Sequence, residues 1–224
     1  MSRLTIAIPT FRRPDDLKRA IGGVLKQVAE QAAREPSGGT VSDAEVLVID
    51  NDAQCSGRKA ALAAAADAGV PVRASEDEPA AGDVSVRYVV EERPGVAAVR
   101  NRALDETTER DLLIFIDDDE DPESGWLVAL VGLQASTGCQ AVAGPVIPVY
   151  EVEPEEWVRQ GEFFVRRTWP TGTVRPVAAV RPAAAARPLQ RGRRTRPEDR
   201  RATRAETPKT GLGARRPPAG ARQD

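Results

Sequence analysis

A rhythm constrains this chain more than any single motif. Strand-length apolar runs recur, each halted by polar residues and each followed by a stretch with helical spacing. The runs are LTIAI (residues 4–8), EVLVI (45–49), VRYVV (86–90) and LLIFI (112–116). Nearly continuous apolar runs of this length suit strands buried on both faces. The first intervening stretch, PDDLKRAIGGVLKQV, places Leu17, Ile21, Val24, Leu25 and Val28 on one helical face. Pro14 sits in its first turn, and Asp15 and Asp16 favour a helix N-terminus there. GRKAALAAAADAG reads as a second helix closed by Gly69. VAAVRNRALDET reads as a third, with Val96, Val99 and Ala103 on its apolar side. ESGWLVALVGLQ makes a fourth helix, and QAVAGPVIPV (140–149) a last strand. Strands alternating with helices imply parallel βαβ units. The expected class is therefore α/β, a Rossmann-like, mostly parallel sheet flanked by helices. The polar insert at 74–83 reads as a surface loop.

The rhythm stops near residue 174. From there on, 14 basic residues face four acids, a net +10 that leaves −12 for everything before it. No Ile, Phe, Tyr or Trp follows Trp169. A segment of Arg, Ala, Pro and Gly cannot bury enough apolar surface to fold alone. The expected organisation is a domain over 1–173 and a disordered basic tail over 174–224. The preferred origin of that tail is a frame shift or altered end in a GC-rich gene. A natural basic tail that binds anionic surfaces is the alternative.

Some chemistries drop out early. The chain has no histidine, which removes His-based catalysis and His-ligated metal sites. Its two cysteines are far apart, so neither a disulfide framework nor a zinc site is expected, and a reducing cytoplasm is the expected compartment. The N-terminal run is too short for a signal peptide, and no stretch is long enough to span a membrane. Peripheral membrane contact stays open.

The polar residues collect where such folds bind ligands, beyond the carboxyl ends of the strands. They are Pro9-Thr10-Phe11, Asp50-Asn51, Glu91-Glu92-Arg93 and the acidic run IDDDED, with five consecutive acids from Asp117 to Asp121. Adjacent carboxylates repel one another unless a cation joins them. Oxygen donors in this number suit Mg²⁺ or Mn²⁺. On an extended backbone Asp117 and Asp119 point one way and Asp118 the other. A solvated loop is the bland alternative. An EF-hand begun at Asp117 fails, because Pro122 and Val128 stand where Gly and Glu are required. A prenyl-diphosphate-synthase DDxxD motif needs a helix in an all-helical fold, which this alternation does not offer. A nucleotide-sugar DxD motif remains.

TIAIPTFRRPDDLKRAI, VLVIDND, RPGVAAVRNRAL and LLIFIDDDEDPESGWL, in that order and over roughly residues 3–150, resemble the landmarks of family 2 glycosyltransferases with the GT-A fold. The resemblance implies a nucleotide-sugar donor, usually a UDP-sugar. It implies an acceptor hydroxyl on a saccharide, a lipid-linked sugar or a small molecule, with no nucleic-acid partner. Pro9, Thr10 and Phe11 would border the nucleobase, and Asp50 would accept a hydrogen bond from its edge. Arg93, Arg100 and Asn101 would face the donor, with Arg93 a candidate for the diphosphate. Asp117 would approach the ribose, Asp118 would lie in the same donor site, and Asp117 and Asp119 are the candidate metal ligands.

Each assignment has a structural rival. Phe11 could be core, Asp50 could cap the next helix, and Arg100 could be a surface charge. Trp126 reads first as a packing anchor under the acidic loop. The aromatic stretch EEWVRQGEFFVRRTW edges an acceptor cleft on one reading and forms a satellite cluster on the other. In this family a carboxylate base activates the acceptor hydroxyl, which attacks the anomeric carbon with inversion while the metal neutralises the departing diphosphate. No residue here is assigned as that base; Glu198-Asp199 lacks a periodic segment around it. A nucleotide-sugar-binding remnant without an acceptor half is the alternative function.

Overall fold

The computed structural model describes residues 2–33, 41–73, 83–165 and 168–173. The expectations for the tail from 174 and, apart from Asp83, for the insert at 74–83 lie outside them. Five parallel strands form one sheet: β1 (Ser2–Thr10), β2 (Val41–Asp50), β3 (Val72–Arg73), β4 (Val84–Val90) and β5 (Leu112–Phe115). Their order is β3-β4-β2-β1-β5. The helices are α1 (Pro14–Ala32), α2 (Arg58–Asp67), α3 (Val96–Glu106), α4 (Trp126–Thr137) and α5 (Glu156–Gly161).

Strand alternation sorts the core into two layers. Leu4, Ile6 and Ile8 of β1 pack with Val46 and Val48 of β2 against α1, α2 and α4. Ala7, Leu47, Ile49 and Val89 meet Val99 and Ala103 of α3 on the other face. The predicted face of α1 is buried throughout, joined by Ala20 and Gln27. Gly69, at φ +65°, follows the end of α2 as expected, and Val70 N–H reaches back to the Ala65 carbonyl at 2.9 Å. Trp126 packs at the margin of the larger core layer, as an anchor would.

The strand order places the site. The chain winds outward from β1 through β2 to β4, then returns to lay β5 on the other side of β1. The order therefore reverses between β1 and β5, and ligands bind in the crevice beyond the strand ends at such a point. Thr10 ends β1, and the acidic run follows β5. Pro9 fits this central strand because its missing donor faces β5. Ala7 O bonds Ile116 N on that side, Thr10 O bonds Asn51 N on the other, and β5 has ended by Phe115.

Three expectations are corrected. Residues 140–149 form no strand; Val146, Ile147 and Val149 stand 46%, 65% and 91% exposed, with no neighbouring ladder among the described residues. Val96 is 64% exposed, because it opens α3 one turn ahead of the buried Val99. LLIFI, read as a strand buried on both faces, is an edge strand over Leu112–Phe115 with Leu112, Leu113 and Ile114 half-buried and Phe115 exposed; only Ile116, just beyond it, is buried. The strands also carry charge inside: Glu45 of β2, which pairs in register with Ser85, and Arg87 of β4, which pairs with Leu47, are buried as diagonal neighbours.

That buried charge is paired. Arg87 donates Nε to Glu45 Oε2 and Nη2 to Glu45 Oε1, both at 3.0 Å, a two-pronged bridge. Its Nη1 bonds Glu106 at the end of α3, which Arg102 also holds at 2.6 Å. Arg110 joins Thr5 and Asp43 beside it. These contacts fasten the C-terminal end of α3 to the sheet, and its N-terminal end is left at the strand-end crevice.

Candidate functional site

The loop after β2 is built around Asp50. Its Oδ2 accepts from the Gly57 N–H at 2.7 Å and the Tyr88 hydroxyl at 2.6 Å, and its Oδ1 from the Asp52 N–H at 2.9 Å. Asp50 is fully buried. A Cβ on Gly57 would lie 3.0 Å from Asp50 Oδ2 and 2.9 Å from Leu17 Cδ2, so a side chain here would crowd both. Burial, with the Asp50 hydrogen bond, pushes the Tyr88 hydroxyl pKa well above its usual value. Asp50 therefore holds the β2–α2 turn. The sequence expectation set this carboxylate at a base edge; here the residue is buried, and its oxygens bond Gly57, Tyr88 and Asp52.

Asn51 does a similar task for the opposite wall. Its Nδ2 donates to the carbonyls of Glu91 (2.7 Å) and Arg93 (2.8 Å), and its Oδ1 accepts from the Gly95 N–H at 2.8 Å. Gly95 takes φ +110°, which a side chain would resist, and starts α3. Arg93 is tied to Glu91 by its backbone N–H and Nε, at 2.8 and 2.9 Å. The Arg93 side chain and backbone hold the Glu91 carboxyl down at about 2. Arg93 nonetheless stays exposed along most of its length.

The acidic run is a turn. Glu120 N–H bonds Asp117 O at 3.1 Å, and Glu120 Oε2 accepts from Asp117 N–H at 3.1 Å. The backbone is thus not extended, yet the three aspartates still divide. Asp117 and Asp119 are exposed, while Asp118 is 6% exposed. Asp118 Oδ2 accepts from the Thr10 hydroxyl at 2.7 Å, and Arg13 Nη1 reaches Asp118 Oδ1 at 3.2 Å. Burial raises the Asp118 pKa against the opposing pull of Thr10 and Arg13. Arg13 Nη1 also donates to Asp119 Oδ2 at 2.7 Å.

Around this turn lie the other expected residues. Phe11 is 52% exposed, with the Arg12 guanidinium 4.9 Å from its ring centre, so it is not core. Arg12 also approaches Asp52 at 3.4 Å. Arg100 stands between the Phe115 ring (5.7 Å) and Asp117 (3.9 Å), which links α3 to the acidic turn. Asn101 is exposed on the same helix. Pro9, Thr10 and the acidic turn thus meet at the β1–β5 crevice, with Arg100 reaching the turn from α3, whereas Asp50 is withdrawn beneath. Sequence reasoning missed Arg13, and it placed Asn51 and Glu91 at the strand ends without giving either a role. Arg13 lay in a stretch read only as a helix start.

The donor set fits a hard divalent cation. Asp117 and Asp119 offer exposed carboxylate oxygens, and a guanidinium already occupies cation space beside Asp119. Among the described residues no three carboxylate or thiol side chains gather into a closed cage. An open pair suits a cation that completes its shell with phosphate oxygens and water. The aromatic stretch beyond α4 forms two exposed edge-to-face pairs, Trp157–Phe163 at 6.0 Å and Tyr150–Phe164 at 6.2 Å. None of these rings is buried.

The fold and site define a parallel α/β domain that gathers an acidic turn and guanidinium groups at the switch point of its sheet, where such folds bind ligands. Residues 5–186 match the family model for glycosyl transferase family 2, and the chain belongs to that family. It is 30% identical over 173 residues to the succinoglycan biosynthesis protein ExoM of Rhizobium meliloti (strain 1021). That alignment covers 77% of this chain and 48% of ExoM, so the chain spans about half the length of the relative. Among solved structures it is similar to glucosyl-3-phosphoglycerate synthase from Mycobacterium tuberculosis in complex with Mn²⁺, UDP and glucosyl-3-phosphoglycerate. There the identity is 19% and the TM-score 0.40, over 60% of this chain and 40% of that one. The same synthase in complex with phosphoglyceric acid aligns with a TM-score of 0.40 and 19% identity, over 61% and 40%. Among the described residues no helix is long and apolar enough to cross a membrane.

Proposed function

We propose that this chain binds a UDP-sugar with Mg²⁺ or Mn²⁺ across the carboxyl ends of β1, β2, β4 and β5, in the cytoplasm, and transfers the sugar to an acceptor hydroxyl with inversion. The observation that carries this reading is the meeting of Thr10 with the Asp117–Asp119 turn at the sheet's switch point. The exposed Phe11 ring offers a flat surface for the base. Arg93 and Arg100 supply positive charge for the diphosphate. Asp117 and Asp119 would hold the cation, which when bound offsets charge on the departing nucleoside diphosphate. Asp50 and Asn51 act indirectly, by shaping the two loops on which the exposed groups stand. Of the acceptor classes, the ExoM likeness supports a saccharide of glycan assembly.

The test is calorimetric titration of the 224-residue chain with UDP, with and without Mn²⁺, followed by donor turnover against a panel of saccharide acceptors. Metal-dependent binding supports the reading. Equal affinity with and without metal overturns the assignment of the acidic turn. Metal-dependent binding without turnover on any acceptor favours a binding remnant instead.

A further inference from the structure

Arg13 sits immediately before α1, and its guanidinium lies where the acidic turn demands a cation. One nitrogen, Nη1, serves both carboxylates: Asp119 Oδ2 at 2.7 Å and Asp118 Oδ1 at 3.2 Å. The two ends of this bridge differ. Asp118 is buried and has Thr10 as a second, independent donor. Asp119 is exposed, and so is half of the Arg13 side chain. An ion pair between exposed groups is weak and easily exchanged. The neighbouring Arg12 turns elsewhere, at φ +58° with its side chain toward Asp52 and over Phe11. Of the two arginines, Arg13 alone bonds the acidic turn in these contacts.

A divalent cation drawn to Asp119 must therefore approach a charge that is already in place. Two positive centres within a few ångströms repel each other, and one weakens the binding of the other. A diphosphate changes that balance, because its oxygens offset both charges at once. We propose that Arg13 is a resident counter-cation that couples metal binding to nucleotide arrival. In the nucleotide-free chain it holds Asp119 and opposes the metal; when the nucleotide brings the metal, the guanidinium leaves Asp119 for the diphosphate oxygens. The nucleotide then strengthens metal binding by more than its own ligand oxygens would, and linkage makes the effect reciprocal. This inference rests on the reading of the acidic turn as the metal–diphosphate site.

The experiment measures free Mn²⁺ by electron paramagnetic resonance with the full chain, as wild type, R13Q and R13K, with and without UDP. Without nucleotide, R13Q should bind Mn²⁺ at least about threefold more tightly than wild type, since a competing charge has gone. R13K, which keeps the charge without the planar fork, should fall between them. The enhancement of Mn²⁺ affinity by UDP should shrink in R13Q. Unchanged or weaker Mn²⁺ binding by R13Q, or by both variants, overturns the proposal and leaves Arg13 a staple between two loops; thermal unfolding would then show the lost staple as a lower midpoint. If UDP has no effect on Mn²⁺ binding to wild type, the donor-site reading fails, while the nucleotide-free comparison still decides whether Arg13 competes with a cation.

Discussion

The Thr10 hydroxyl donates to the Asp118 carboxylate at 2.7 Å, across 108 residues of sequence, and closes the crevice between β1 and β5. The bond is buried and holds down a carboxyl whose pKa burial pushes up. Thr10→Val keeps the shape and removes the donor. We expect a loss of about 1–2 kcal/mol, since a buried acceptor loses a partner. The loss should grow as pH rises through the raised Asp118 pKa, because Thr10 stabilises the ionised form. Urea denaturation at two pH values reads both effects.

The bridge between Arg87 and Glu45 gives a larger expected effect. Both side chains are at most 7% exposed, so removing one leaves the other charged and unpaired in the interior. Arg87→Met should cost about 3–5 kcal/mol. The double variant Arg87→Met with Glu45→Leu should recover much of that, because a well-packed apolar pair replaces a buried ion pair at little cost. Denaturant midpoints of the two variants provide the comparison.

These pairs mark where the sequence stops being readable. Leu4, Ile6 and Ile8 announce a buried strand through their neighbours alone, and the α1 face is legible from its 3.6-residue spacing. The place of the acidic turn at a strand end followed too, since Asp117–Asp119 come directly after an apolar run. Arg87 and Glu45 are different: each reads as an isolated charge in a strand, and only the β2–β4 register shows that they meet. Asp50 has the same difficulty, because a strand-end carboxylate looks alike whether it faces a ligand or holds Gly57 and Tyr88. β3, with two residues, has no period to detect. Residues 140–149 carry strand-like composition, but a strand also requires a neighbour, and composition does not supply one.

Glu91 predicts an acid response. Arg93, through its side chain and backbone, holds the Glu91 carboxyl at about 2 in the folded chain, below the 4.5 usual for a glutamate. A depressed carboxylate contributes stability that is full above the unfolded pKa and is lost as pH falls through the folded one. The window here runs from about 4.5 down to about 2. Glu91→Gln should flatten the fall in thermal midpoint across that window relative to wild type. Equal slopes for the two proteins would remove the Glu91–Arg93 pair as its cause.

The last prediction separates the fold role of the acidic turn from its proposed ligand role. Asp118 is buried and bonded to Thr10 and Arg13, so Asp118→Ala leaves a buried hydroxyl without its acceptor. It should cost about 1–3 kcal/mol of stability whether or not any ligand is present. Asp119 is exposed, and its Arg13 contact is a surface pair, so Asp119→Ala should change stability by no more than about 1 kcal/mol. The same variant should abolish the part of UDP affinity that depends on Mn²⁺, because the cation loses a carboxylate that the diphosphate cannot replace. Glu120→Ala serves as the control: it removes a cap on the Asp117 N–H and should leave most of the metal-dependent affinity in place. Calorimetry with and without Mn²⁺, paired with denaturation of all three variants, reads the pattern. If Asp119→Ala retains the full metal dependence, the cation sits elsewhere and Asp119 is only the outer end of the Arg13 bridge.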